Sequence, residues 1–242
     1  SNNHLHPKLN INLPSKMHVE KFQKLDALIK EKPDIIVVGV SSVGIDWFVD
    51  NVAEKLDNKT SIVILTKGLS IVNNKLSTIS YKIEKLLREK GIKSNNISAI
   101  KGPCLAAGLA NKIRTSTLIA SNNISEAKSL QKVITTNYYS TEVSDDLNGV
   151  ELSGAIKNIY SMIIGASEGL SSSSAENKIK SKYFHNTSAS LIHKSISEMA
   201  RFVRYYGGKA DTVYGLAGLG DLYVSAIGGR NSQMGKYLGE GY

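Results

Sequence analysis

From residue 19 to about residue 141 the chain alternates between two hydrophobic periods, and no other feature restricts its fold as much. Residues 35–40 (IIVVGV) form an unbroken β-branched run, apolar on both faces, as a strand buried between two layers must be. Residues 61–65 (SIVIL), 97–100 (ISAI) and 115–120 repeat the signal in shorter form. Between these runs the apolar residues recur at helical spacing. Val19, Phe22, Leu25, Leu28 and Ile29 predict a helix that Pro33 and Asp34 stop, and helices are also predicted over 45–56, 77–90 and 124–133. Strands alternating with helices of this length indicate βαβ units in a doubly wound parallel sheet. After Asp145 strand signals become sparse. Residues 147–165 and 186–206 predict long helices, separated by the polar stretch 171–182 (SSSSAENKIKSK), which reads as a mobile loop. The predicted architecture is therefore an α/β unit over 1–145 followed by a mainly α-helical unit over 146–242.

Composition excludes several classes. A single cysteine, Cys104, rules out an intramolecular disulfide, and none of His4, His6, His18, His185 and His193 pairs with another at ligand spacing, so no metal is expected. Cys104 reads as a small buried residue of a turn. No apolar run approaches the roughly 20 residues that span a bilayer, and residues 1–14 lack the apolar core of a signal peptide. A cytoplasmic location is the expectation. The formal charge of +9 comes from dispersed lysines, with arginine only at Arg88, Arg114, Arg201, Arg204 and Arg230. That pattern points to a lysine-rich surface with some attraction for anionic metabolites, and not to a nucleic-acid partner.

Two stretches carry candidate chemistry. The first, 149–159 (GVELSGAIKNI), places Lys157 and Asn158 within an apolar helix, with Ser153, Lys157 and Ser161 on one face. Burial would lower the pKa of such a lysine and suit it to proton transfer. On spacing alone the favoured reading is a lysine whose stem packs while its ammonium reaches water. The second, 215–221 (GLAGLGD), continues to Ser225 and then to Gly228, Gly229, Arg230 and Asn231. Asp221 is placed to pair with a lysine, and Arg230 with Asn231 makes a candidate phosphate clamp. The competing reading there is a glycine-rich turn with a surface arginine. Thr66, Lys67 and Gly68, and likewise Gly102 and Pro103, follow predicted strands at their carboxyl ends, where open α/β sheets bind ligands. The dinucleotide-binding pattern G-x-G-x-x-G is absent; Gly39 and Gly44 have the wrong spacing for it.

Taken in order, K-G after a strand, G-P-x-x-A (102–106), G-V-E-L-x-G-A-x-K-N (149–158), N-T-x-A-x-L-I (186–192), E-M (198–199), G-L-A-G-x-G-D-L (215–222) and G-R-N (229–231) resemble the NAD(P)-dependent glycerol-3-phosphate dehydrogenases. The resemblance covers nearly the whole chain. It implies a Rossmann-like sheet, incomplete here, before a helical substrate domain. It implies hydride transfer between NAD or NADP and a small phosphorylated substrate, dihydroxyacetone phosphate or glycerol 3-phosphate, in glycerophospholipid biosynthesis, by a homodimer.

By position, Lys157 matches the family's proton-transferring lysine, Asp221 its charged partner, and Lys67 a second lysine near the carbonyl. Asn158, Ser225, Arg230 and Asn231 match the substrate pocket, with Ser225 where threonine is common. Gly39, Val40, Ser41, Ala106 and Arg230 fall where the cofactor is held. Departures accompany these matches. The family's first strand, its glycine turn and first helix find no counterpart, and the expectation is a chain short at both ends. Gly108 replaces a usual glutamate, Ser41 a common proline. Alternative readings are a related two-domain hydroxy-acid dehydrogenase, or a non-catalytic relative acting as a binding or dimerisation module.

Overall fold

A computed structural model describes residues 5–92, 96–172 and 184–242. The predicted loop over 171–182 lies outside the described residues except for Ser171 and Ser172, which end a helix. Five strands form one sheet in simple chain order: β1 (Ile35–Val38), β2 (Ser61–Ile64), β3 (Ile97–Lys101), β4 (Thr115–Ser121) and β5 (Tyr139–Ser144). β1, β2 and β3 run parallel, with Val38 beside Ile64 and Ile64 beside Ala99. Their carboxyl ends therefore finish together on one rim.

The expectation of a parallel sheet needs one refinement. β4 is antiparallel to β3, and β5 is parallel to β4. Between β3 and β4 the only helix is α4 (Ala106–Ala110), about 7.5 Å long at 1.5 Å per residue. A parallel return uses a crossover, usually a helix that runs back along the sheet, and the connection over 102–114 carries no helix of that length.

Helices cover both faces of the sheet. α2 (Ile45–Asn51) and α3 (Ile79–Glu89) join β1 to β2 and β2 to β3. Ile45, Phe48 and Val49 with Ile79, Ile83 and Leu87 pack on Ile62, Ile64, Ala99, Leu118 and Ala120. The alternate strand residues Val63, Ile100 and Ile119 face the other way, onto Ala127 and Leu130 of α5 (Ile124–Ile134). This two-sided burial explains why β2 and β3 lack a polar alternation, whereas the edge strand β1, expected to be buried on both faces, leaves Val37 exposed. Thr78 caps α3, its side chain accepting from the Tyr81 N–H, and Asn123 caps α5 in the same way from Ser125 N–H.

Two local predictions change in the structure, and one further element is not among the predictions. The helix expected from Val19 is short: a 3₁₀ turn at Phe22–Lys24 leads into α1 (Leu25–Lys30), with Val19 and Phe22 exposed. The helix expected over 45–56 closes at Asn51, and a 3₁₀ turn at Ala53–Lys55 follows it. The segment before α3 is a hairpin, Ser70–Val72 with Lys75–Ser77, turned by Asn73 and Asn74 at φ 51° and 59°. Asparagine tolerates this left-handed backbone, so the N-N pair was the available signal.

The helical part begins with α6 (Leu147–Ser172) and α7 (Phe184–Tyr205). It ends with α8 (Asp211–Tyr214), a π-helical turn (Leu216–Gly220), α9 (Asp221–Gly228) and α10 (Arg230–Glu240). α6 belongs to two cores. Leu147 and Val150 pack with the sheet, whereas Leu152, Ile156 and Ile164 pack with Met199 and Val203 of α7 and Leu222 of α9. Among the described residues no helix is long and apolar enough to cross a membrane.

α6 and α10 meet backbone to backbone. Gly165 and Gly169 face the carbonyls of Ser232 and Lys236, while Gly235 and Gly239 face those of Met162 and Ala166. A Cβ at any of the four would be driven into a main-chain oxygen, and backbone cannot rotate away as a side chain can. Gly235→Ala is therefore expected to cost about 1–3 kcal/mol through overpacking. Gly108 of α4 has open space where its Cβ would stand, so Gly108→Ala should be neutral or stabilising by roughly 0.5–1 kcal/mol. Urea titration of both variants checks the pair; equal midpoints would contradict the close packing.

Candidate active site

Three elements converge on one buried carboxylate. α6 presents Ser153, Lys157 and Ser161 on one face, at 0, 4 and 0% exposure. The ammonium of Lys157 donates to Asp221 Oδ1 at 2.9 Å and to Ser225 Oγ. Asp221 opens α9, where the helix dipole favours an anion, and Ser225 lies one turn on, so both point to the same side. Lys67 arrives from beyond the end of β2 and donates from Nζ to Asp221 Oδ2 at 2.6 Å. Each carboxylate oxygen thus holds one ammonium. The side chains of Lys157 and Asp221 are 5 and 3% exposed, but that of Lys67 is 32% exposed, so the cluster opens to solvent on the Lys67 side.

A π-helical turn, Leu216–Gly220, leads directly into Asp221 at the start of α9. Gly218 in that turn abuts the Val213 backbone with no room for a Cβ. A wide turn of this kind is uncommon and recurs at functional sites.

Burial holds the Lys157 ammonium below the usual lysine range; Asp221 opposes that shift and the nearby Lys67 charge adds to it. The geometry departs from the favoured snorkelling lysine, since the Lys157 side chain is buried and its ammonium sits on Asp221 and Ser225. Its Nζ stays inside the protein on a carboxylate.

Two charged residues of the cluster escape sequence reasoning. Lys101, the last residue of β3 and 2% exposed, donates from Nζ to the carbonyls of Thr66 at 2.9 Å and Ile64 at 3.2 Å. Burial pulls its pKa down to about 8, with Glu151 opposing. Glu151 of α6, 1% exposed, accepts from the backbone N–H and the hydroxyl of Ser80. Burial pushes its carboxyl up, and Lys101 counters. A strand-end lysine normally reads as solvated. The one available signal was its place immediately before Gly102 and Pro103.

Of the remaining candidates only Asn158 adjoins this cluster in sequence, and the others sit at the ends of neighbouring elements. Asn158 is half-buried beside Lys157 on α6. Arg230 and Asn231 form the first turn of α10, with Arg230 exposed. Arg230 lines a cavity of about 420 Å³ with Gly228, Gly229, Gln233 and the paired Glu168 and Lys236. α9, eight residues long and so about 12 Å, lies between this end and Asp221.

Gly39, Val40 and Ser41 leave the end of β1. Gly39 has open space at its Cβ position, Ser41 is exposed, and the Val40 carbonyl accepts from Thr66 Oγ1 at 2.6 Å. Ala106 is the exposed first residue of α4. The loop leading to it touches both ends of α9: a Cβ at Gly220 would meet Pro103 Cγ at 3.4 Å, and one at Gly228 would meet Leu105 Cδ1 at 3.2 Å. One rim thus carries the ends of β1, β2 and β3 opposite the glycine-bounded helix α9.

The chain resembles known proteins along its whole length. Residues 1–127 match the family model described as the N-terminus of NAD-dependent glycerol-3-phosphate dehydrogenase, and residues 146–242 match the model of its C-terminus. The NADP(+)-dependent glycerol-3-phosphate dehydrogenase of Archaeoglobus fulgidus is 30% identical over 98% of this chain. The glycerol-3-phosphate dehydrogenase [NAD(P)+] of Coxiella burnetii is 33% identical over 95% of it. The chain spans 67% of the Archaeoglobus relative and 64% of the Coxiella relative. The crystal structure of a Coxiella burnetii glycerol-3-phosphate dehydrogenase superposes with a TM-score of 0.78 at 30% identity, covering 96% of this chain and 68% of that one. A Saccharomyces cerevisiae glycerol-3-phosphate dehydrogenase, at 22% identity and a TM-score of 0.78, shares the fold over 96% of this chain and 63% of its own.

Proposed function

The chain belongs to the NAD-dependent glycerol-3-phosphate dehydrogenase family, and from that premise we propose that it interconverts dihydroxyacetone phosphate and sn-glycerol 3-phosphate by hydride transfer with NAD(H) or NADP(H). The observation that carries the reading is the shared carboxylate of Asp221, which holds the ammonium groups of Lys157 and Lys67 on one buried cluster. The strand ends suit a nicotinamide cofactor: Gly39 leaves its Cβ position empty at the end of β1, and Ser41 and Ala106 are exposed. When bound there, the cofactor supplies or takes the hydride. The proposed division of labour is residues 1–145 for the cofactor and 146–242 for the substrate.

The protein's own residues handle charge and protons. As a hydride reaches C2 of the ketone, negative charge grows on the carbonyl oxygen. Lys67, already placed on Asp221 at the solvent-facing side of the cluster, steadies that charge. Lys157 gives the oxygen its proton on reduction and removes it on oxidation. Its lowered pKa brings the proton-transfer energies of the two directions closer together. Asp221 keeps both ammonium groups in place and balances their charge, with Ser225 fixing Lys157 from the other side. Arg230 and Asn231 take the substrate phosphate at the start of α10, where main-chain N–H groups also favour an anion. Asn158 completes the pocket next to Lys157.

Oxidation of NADH or NADPH on adding dihydroxyacetone phosphate tests the reading directly; no oxidation of either by the folded protein would overturn it. In Arg230→Ala the KM for dihydroxyacetone phosphate is expected to rise roughly 10- to 100-fold, the loss of a charge-assisted hydrogen bond. An unphosphorylated hydroxy acid turned over equally well by both proteins would instead indicate the related hydroxy-acid dehydrogenase reading.

A further inference from the structure

We propose that Lys101 is a positioning residue of this reaction, holding from the end of β3 the strand end that carries Lys67. The proposal rests on the reading of Lys67 as the residue that steadies the oxyanion. It extends that reading to a side chain that touches neither substrate nor cofactor.

Lys101 joins three elements. Its Nζ donates to the carbonyls of Ile64 and Thr66, which flank the turn out of β2. The Thr66 carbonyl belongs to the peptide that leads into Lys67, so a hydrogen bond there fixes the backbone from which Lys67 departs. Thr66 is secured on its other side as well, since its Oγ1 donates to the Val40 carbonyl at 2.6 Å. The stem of Lys101 packs along α6: a Cβ at Gly154 would stand 3.1 Å from Lys101 Cδ. Gly154 precedes Lys157 by one turn. One side chain thus sets the end of β2 against the helix that carries Lys157, and so sets the separation of the two lysines that share Asp221.

A purely structural role does not need an ammonium at this position. A methionine has nearly the same length and would fill the same space against Gly154; because it also takes the Lys101 charge away from the buried Glu151, Lys101→Arg, which keeps a cation, is the control. What methionine lacks is donors for the two carbonyls. The charged groups around Lys101 belong to the same cluster: Glu151 from α6, Lys67 from beyond β2 and Asp221 from α9.

Lys101→Met and Lys101→Arg test the proposal with two readouts. Misplacing a reacting group by about 1 Å can cost 10²-fold in rate, so Lys101→Met is expected to lower kcat by about 10- to 100-fold, with the KM for dihydroxyacetone phosphate changed less than about threefold. Lys101→Arg, which keeps donors, is expected to recover part of that loss. The second readout does not require turnover. Pulsed acetylation followed by mass spectrometry should show faster labelling of Lys67 in Lys101→Met, with Lys157 labelled as in the wild type. A kcat within twofold of wild type overturns the proposal, as does unchanged labelling of Lys67. A parallel rise at Lys67 and Lys157 also overturns it, because that pattern reports general loosening. If the wild type has no activity, the dehydrogenase reading fails while the labelling still decides the role of Lys101.

Discussion

Replacing Lys157 with alanine is expected to lower turnover of dihydroxyacetone phosphate by about 10²–10⁴-fold, the usual worth of a positioned general acid. The KM should move much less, because the lost interaction develops with the charge on the carbonyl oxygen and is weak in the ground state. The two directions of the reaction provide an internal control. Reduction needs Lys157 protonated, so its rate falls as pH rises through the lysine's pKa. Oxidation needs it neutral, so that rate rises over the same interval. Burial places this interval below that of a free lysine. Initial rates measured in both directions across pH should therefore show mirrored limbs in the wild type, and neither limb in Lys157→Ala. A variant that keeps wild-type turnover would remove Lys157 from the mechanism.

The largest expected effect on stability comes from Asp221→Ala. It leaves the Lys157 ammonium buried at 5% side-chain exposure without a carboxylate, and breaking a buried pair in this way costs about 3–5 kcal/mol. Lys67 contributes less, since its side chain is 32% exposed and water can replace the carboxylate there.

The pH dependence has a definite sign. Without Asp221 the folded-state pKa of Lys157 falls further below its unfolded value of about 10.4. Between those two values the unfolded chain binds more protons than the folded one, so stability rises with pH. The deficit of Asp221→Ala relative to wild type should be greatest near neutrality and shrink as pH climbs toward the unfolded lysine value. Urea titrations at neutral and alkaline pH measure it. Asp221→Asn keeps the volume and removes only the charge, which separates the electrostatic loss from a cavity. A midpoint for Asp221→Ala equal to wild type at neutral pH would refute the account of the cluster.

The parts of this molecule that sequence reveals are those whose physics is local. The run IIVVGV forms β1 as its β-branched residues predict, but at the sheet edge, where Val37 is exposed and burial on both faces is not reached. Ser153, Lys157 and Ser161 share a face because four residues is close to one helical turn, and all three are buried together. Asp221 and Ser225 follow the same rule on α9. The reversal of β4 is not legible. A strand buried on both sides has the same composition whichever way it runs, and its direction depends on the connection before it. β5 also escapes: Thr141 is buried whereas Glu142 is exposed, a short edge pattern that resembles a loop.

The sequence by itself determined the alternating α/β order, the helical continuation after Asp145, and the identity of Lys67, Lys157 and Asp221 as the residues to watch. Each depends on period, on composition or on motif order, all of which are properties of neighbours along the chain. Only the tertiary structure decided that the two lysines meet on opposite oxygens of one carboxylate, that Lys101 is buried against Gly154, and that Glu151 sits inside with it. Lys67 and Asp221 are 154 positions apart, and whether a charge is solvated depends on what packs over it from elsewhere. Desolvation and charge pairing are set by distance in space, and spacing along the chain does not encode that distance.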